Sequence, residues 1–306
     1  MAMARLGFVL APRAEDTGGP RAQYRVAKIR TDVTYSPNGS KLDVYRPLGQ
    51  APEEGWPAII AIPGGGFRWA SKADYGSRAA VMGKYGYAVV AIEYAFSTGT
   101  SRSWPASIQD VRRSVQWVRR FADVLNVDPN RIVAMGESAG GNLAALAGVL
   151  PEAPVDWDGN GVDAAAMDEA RASKYSTRVQ AAVDFYGPSD LAHEFTTRPR
   201  ARPYLAPYLG GTPSQVPGRY AAASPITHVT SDDAPLFLAQ GKRDAIVPYV
   251  ESIWLHQAYQ TAGVPSELVL MDQPHGFSLR GKRFNLIPRI LAFLDEVWAR
   301  TDDSSE

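Results

Sequence analysis

Apolar positions follow two rhythms along this chain. In TDVTYSPNGSKLDVYRP they alternate, with Val33/Tyr35 and Leu42/Val44 on either side of a Pro-Asn-Gly-Ser stretch. Asn-Gly tolerates the positive φ of a tight turn, so the spacing predicts an antiparallel hairpin. Short, nearly continuous apolar runs come next: PAIIAIP (57–63), AVVAIEY (88–94), RIVAMG (131–136), QAAVDFY (180–186), PLFLAQG (235–241) and ELVLMD (267–272). Strands apolar on both faces are what a parallel sheet covered by helices requires. Between them, PASIQDVRRSVQWVRRFADVL sets Ile108, Val111, Val115, Val118 and Leu125 near one stripe. VESIWLHQAYQTAG and FNLIPRILAFLDEVWAR have helical spacing as well. A hairpin followed by alternating strands and helices predicts one doubly wound α/β domain.

Two stretches, 151–177 and 191–223, fit neither rhythm. Both follow strand ends on the side where such sheets place their ligands, and they are expected to be irregular lid loops walling a pocket. The first thirty residues lack a clear period and read as an arm. That leaves a single domain over 31–300 and a short tail at 301–306. The chain shows no internal repeat and no interdomain linker.

Composition narrows the field. With 306 residues, 45% hydrophobic and 21% charged, the chain has ample material for one globular core. Lys+Arg and Asp+Glu both number 32, a balance without the electrostatic footprint of a nucleic-acid or anionic-membrane binder. A neutral or weakly polar small molecule is the expected partner. The absence of cysteine excludes thiol catalysis, thiolate metal sites and disulfides. At the start, one arginine precedes an apolar stretch too brief for a signal peptide or a membrane span, so the cytoplasm is the default expectation.

The chemistry begins at AMGESAG. Gly136-Glu137-Ser138-Ala139-Gly140 fits the nucleophile elbow G-x-S-x-G, set after an apolar run and before GNLAALAGVL. The serine of such a turn sits in strained backbone, and the helix N-terminus beyond it favours developing negative charge. A serine hydroxyl needs a base. Of the four histidines, His256 lies in a helical run, His193 in the second lid stretch and His228 ahead of a strand in a structural setting. His275, in MDQPHGFSLRG, follows the last predicted strand and is the candidate base. The imidazole needs a carboxylate to hold its tautomer. Asp244 in LAQGKRDAIVP follows a strand, and the order Ser138, Asp244, His275 is that of an α/β-hydrolase. Asp190 is the alternative acid, better read as a cap, and Asp272 lies too close to its strand. Pro63-Gly64-Gly65-Gly66 ends an early strand with bare backbone that, with the Ala139 N–H, could form an oxyanion hole.

These residues resemble the α/β-hydrolase carboxylesterases, especially the hormone-sensitive-lipase-like and feruloyl-esterase-like (BD-FAE) branches. The resemblance runs from about Thr31 to Trp298 through LDVYRP, PGGGF, GESAGGNLAALA, VDFYGPSDL, ASPITHV, GKRDAIVP and HGF. It implies Ser138 as nucleophile, Asp244 as acid, His275 as base, and Gly65, Gly66 and Ala139 as oxyanion donors. Two positions depart from the pattern. The glycine loop is headed by Pro63 rather than histidine, which removes the side chain that braces the loop in the family. Tyr94 is followed by Ala95 where the family often has arginine, a change that bears on pocket bracing or the entrance.

Other features are secondary. DWDGNGVDAAAMD sets Asp156, Asp158, Asn160 and Gly161 at calcium-loop positions, but Met167 occupies the twelfth and Asp168 comes one late, so a solvated acidic loop is expected. Arg198, Arg200 and Arg202 read as a solvated charge run. Phe67, Trp69, Tyr204, Tyr208 and Phe277 are expected to line an aromatic substrate pocket. The expected activity is a serine carboxylester hydrolase acting through an acyl-enzyme on a small, short-acyl or aromatic ester, with no cofactor and no metal required. Three alternatives stay open: an acyltransferase or cyclase using the same triad, a ligand-binding protein on this fold, and amide hydrolysis.

Overall fold

The computed structural model describes strand residues 9–10 and residues 22–98, 101–152, 175–282 and 284–303. Much of the expected arm, most of the first lid stretch with its acidic segment 156–168, and residues 304–306 lie outside the described residues. Among the described residues no helix is long and apolar enough to cross a membrane.

One sheet runs through the domain. Its strands are β1 (Val9–Leu10), β2 (Arg25–Thr34), β3 (Lys41–Leu48), β4 (Trp56–Ile62), β5 (Ala88–Ile92), β6 (Val127–Glu137), β7 (Ala181–Phe185), β8 (Leu236–Gly241) and β9 (Ser266–Met271). Their order is β1-β9-β8-β7-β6-β4-β5-β3-β2. The β2–β3 and β3–β5 pairs are antiparallel and the rest are parallel. The expected hairpin is the β2–β3 pair, with Val33 opposite Leu42, but its first strand starts at Arg25, inside the stretch read as an arm. That stretch looked aperiodic because register shifts between Lys28 and Val33 break the alternation.

The parallel strands are apolar on both sides because both sides are covered. Alternate residues of β4, Ala58/Ile60/Ile62 and Ile59/Ala61, enter two separate cores. Helices α2 (Ala106–Arg120) and α4 (Ala139–Val149) close one face, with α3 (Ala122–Leu125) following α2. Helices α1 (Lys72–Ala79) and α9 (Ile287–Asp303) close the other. Each fully buried Val, Leu or Ile contributes about 1.5–3 kcal/mol. The hairpin is tied to α2 by Asp110, a fully buried carboxylate that accepts from Ser36 Oγ, Asn38 Nδ2 and the Ala95 N–H. Ala95 therefore braces the scaffold at the position where the family often has arginine.

The stretch 191–223 corrects one expectation. It is not an irregular loop but a cap of three short helices, α5 (Leu191–Thr197), α6 (Arg202–Leu209) and α7 (Pro217–Ala222). Asp190 starts α5 by accepting from the Ala192 and His193 N–H groups. Prolines stand in the first turns of α6 and α7, and Gly210 ends α6 in the left-handed region. With about two turns each and a proline inside α6, none is long enough to display an apolar stripe. Asn142 on α4 donates to the carbonyls of Pro188 and Ala223, so one side chain holds both ends of the cap.

Candidate active site

The candidate residues gather at the sheet's C-terminal edge. Ser138 stands between β6 and α4 at φ 54°, ψ −120°, a region that L-residues avoid. The glycines on either side answer to close packing. A Cβ on Gly136 would fall 2.0 Å from the Gly140 carbonyl oxygen, and one on Gly140 would fall 2.1 Å from that of Ile62. Only bare backbone lets α4 approach the strands so closely.

The structure brings the three predicted residues together. His275 Nε2 lies 3.0 Å from Ser138 Oγ, and His275 Nδ1 lies 2.7 Å from Asp244 Oδ2. Asp244 is held from every side: its Oδ1 accepts from the Ile246 and Val247 N–H groups, and its Oδ2 also accepts from Gln240 Nε2. The edge of His275 packs against Tyr186, with ring centroids 4.8 Å apart. The Tyr186 hydroxyl donates between Glu137 Oε2 and the Phe277 carbonyl, each at 3.0 Å. Glu137, the variable residue of the elbow, also pairs with Arg78 at 2.8 Å.

Gly64, Gly65, Gly66, Ser138, Ala139 and His275 line one cavity of about 390 Å³. No turn or loop hydrogen bond between described backbone groups uses the Gly65, Gly66 or Ala139 N–H as its donor. The missing histidine brace has a substitute: the buried Tyr94 hydroxyl donates to the Pro63 carbonyl at 3.0 Å. Burial pushes that phenol far above its ordinary value, so it remains a donor.

Of the expected pocket aromatics, Phe67, Trp69 and Tyr204 line this cavity and two do not. Trp69 is 67% exposed at the mouth, and the Tyr204 ring covers Gly66. Tyr208 is fully buried, stacked on Phe67 at 3.7 Å with its hydroxyl 3.1 Å from Ser107 Oγ. Phe277 turns into the opposite core, edge-on to Tyr186 and Phe284, and lines a separate cavity of about 170 Å³. Tyr208 is taken up by Phe67 and Ser107, and Phe277 by Tyr186 and Phe284, so neither lines the Ser138 cavity. None of Arg198, Arg200 and Arg202 lines it either.

The other histidines are engaged elsewhere. His193 Nδ1 faces Glu251, His228 Nε2 meets the Ala222 carbonyl, and His256 Nδ1 pairs with Ser266. Asp190 caps α5, and exposed Asp272 pairs with Arg243. Sequence reasoning missed Glu137, Tyr186, Ile246, Val247 and Glu194 as cavity-lining residues. Four of them adjoin elbow, strand-end or Asp244 motifs, and that adjacency was the usable signal; Glu194 gave none. Burial pushes Glu194 well above the usual carboxylate range, with the charges of Glu251 and Asp244 adding to the effect.

Comparison with known proteins gives a consistent result. The BD-FAE family model matches residues 42–259. Esterase LipQ of Mycobacterium tuberculosis is 32% identical over 270 residues, covering 85% of this chain and 60% of LipQ. LipM of the same organism, a probable carboxylic ester hydrolase, is 30% identical over 306 residues, covering 95% of this chain and 67% of LipM. The chain thus spans only part of the length of these relatives. A solved truncated form of a carbohydrate esterase from gut microbiota shares 28% identity at TM-score 0.71, covering 94% of this chain and 100% of that one.

Proposed function

We propose a function from one premise: this chain belongs to the BD-FAE family of α/β-hydrolases. The reading is a serine carboxylester hydrolase that works through an acyl-enzyme on small, short-acyl or aromatic esters. One observation carries it, the continuous relay from Ser138 Oγ through His275 to Asp244 at 3.0 and 2.7 Å.

In this mechanism His275 Nε2 takes the Ser138 proton as Oγ attacks the ester carbonyl. Asp244 accepts from His275 Nδ1–H, which keeps Nε2 free as the base and stabilises the imidazolium. The carbonyl oxygen gains negative charge and is met by the N–H groups of Gly65, Gly66 and Ala139, each donor worth roughly 3 kcal/mol of barrier. His275 then protonates the leaving alcohol. Water, deprotonated by the same imidazole, attacks the acyl-Ser138 ester and releases the acid. The cavity of about 390 Å³ and its Trp69 and Tyr204 rim suit a compact or flat substrate.

A panel of p-nitrophenyl esters of increasing acyl length tests the reading. Turnover is expected on the short members, with an initial burst of nitrophenol. Ser138→Ala should lower kcat by about ten-thousand-fold or more and abolish fluorophosphonate labelling. Unchanged turnover in Ser138→Ala, or no labelling of the wild-type serine, would remove Ser138 as the nucleophile.

A further inference from the structure

Two neighbouring buried carboxylates, one in the cap and one on the helix that anchors it, differ in character, and their difference extends the ester-hydrolase reading on which this inference rests. Glu251, on helix α8 (Tyr249–Ala262), is fully buried and fully engaged. Its Oε2 accepts from the Ser189 and Asp190 N–H groups, and its Oε1 lies 2.9 Å from His193 Nδ1. Those bonds anchor the start of α5. Glu194, on α5 itself, is only 3% exposed and lines the Ser138 cavity, yet its Oε2 has no hydrogen-bond partner among the described residues. Native interiors leave few such atoms unmatched.

We propose that Glu194 is a specificity residue that hydrogen-bonds a hydroxyl group of the ester substrate. Burial pushes its carboxyl well above the usual range, with the Glu251 and Asp244 charges adding to the effect and the Arg198 guanidinium opposing it. A carboxyl with its proton offers a donor and an acceptor, a carboxylate offers acceptors, and a hydroxyl answers either without bringing charge into the cavity. An anionic substrate would meet Asp74 and Glu137 on the cavity wall, where the one arginine lining it among the described residues, Arg78, is already paired with Glu137. An ammonium group would have to shed its water to enter so buried a place. A metal ion is no better suited, since no group of three or more metal-ligating side chains gathers among the described residues.

Matched esters in which a hydroxyl replaces a methyl test the proposal on both sides of the ester bond. On the acyl side the pair is p-nitrophenyl 3-hydroxybutyrate and p-nitrophenyl 3-methylbutyrate. On the alcohol side it is ethylene glycol monoacetate and propyl acetate. Fluorophosphonate titration of Ser138 counts the folded sites in each protein. The wild type should favour the hydroxyl member of at least one pair by about fivefold to tenfold in kcat/KM, expressed mainly in KM. Glu194→Gln, which keeps a donor and an acceptor, should retain that preference within about twofold. Glu194→Met should erase it. If Glu194→Met shows no titratable sites, Glu194→Asp, which withdraws the carboxyl by one methylene, should weaken it instead. A wild type indifferent to the hydroxyl in both pairs would overturn the proposal. So would a full preference in Glu194→Met, or in Glu194→Asp when it stands in, and Glu194 would then be a structural partner of Arg198. Turnover without hydroxyl preference breaks this inference alone. No turnover of any ester together with no labelling breaks the hydrolase reading, and this inference with it.

Discussion

The elbow and the cap face each other across one cavity and are held by different means. At the elbow, position comes from backbone packed against backbone: a Cβ on Gly136 or Gly140 would overlap a carbonyl oxygen, and Ser138 is kept in left-handed space. Asp244 and His275 join it with their polar atoms engaged. The cap consists of three short helices fastened at their ends by Asn142, and Glu194 Oε2 and Arg198 Nε are buried there without partners among the described residues. The contrast separates two tasks. On the proposed reading the elbow needs a fixed geometry for bond making, whereas the cap has only to meet the substrate.

The largest expected effect lies on the elbow side. Asp244→Asn should drop kcat by about ten-thousand-fold, because the amide favours the tautomer that leaves His275 Nε2 protonated. Steady-state turnover of a short p-nitrophenyl ester measures it, and a loss under tenfold would mean that the relay does not govern turnover. A pair of glycine substitutions then compares rigidity directly. Gly140→Ala puts a methyl 2.1 Å from the Ile62 carbonyl oxygen and should cost about 3 kcal/mol in urea unfolding. Gly218→Ala, in α7, meets nothing within 4 Å and should instead stabilise by about 0.5–1 kcal/mol. Equal penalties at the two sites would erase the contrast.

The last effect is electrostatic and belongs to the helix that anchors the start of the cap. Burial raises Glu251 from the ordinary 4.5 to about 7. Between those values the folded protein keeps a proton that the unfolded chain has already released, so stability falls as pH rises through that window. Glu251→Gln removes this contribution, about 3 kcal/mol, and should flatten the slope between about pH 4.5 and pH 7 in urea titrations. Some slope should persist, because burial also raises Asp184 and Glu194. A variant as steep as the wild type would show that Glu251 ionises freely.

Legibility from sequence follows the same division. The parallel strands could be read because a covered sheet needs apolar residues on both faces, and Ile59 and Ile60 serve separate cores. Ser138, Asp244 and His275 could be read because each follows a strand in an order the fold imposes. The cap helices could not, since runs of six to eight residues, with proline in two of the three, carry no period. Tyr204 and Tyr208 look alike in sequence, and only the stacking of Phe67 distinguishes the cavity wall from the core. Glu194 was invisible because nothing local says which way a lone acid in LAHEF will turn.

The exchange at Pro63 carries a consequence for acidity. An imidazole at the head of the glycine loop would gain and lose charge across the mild pH range in which imidazoles titrate. The phenol of Tyr94, driven upward by burial, carries its hydrogen through weak acid and weak alkali alike. Acidification therefore leaves the fastening of this loop chemically unchanged.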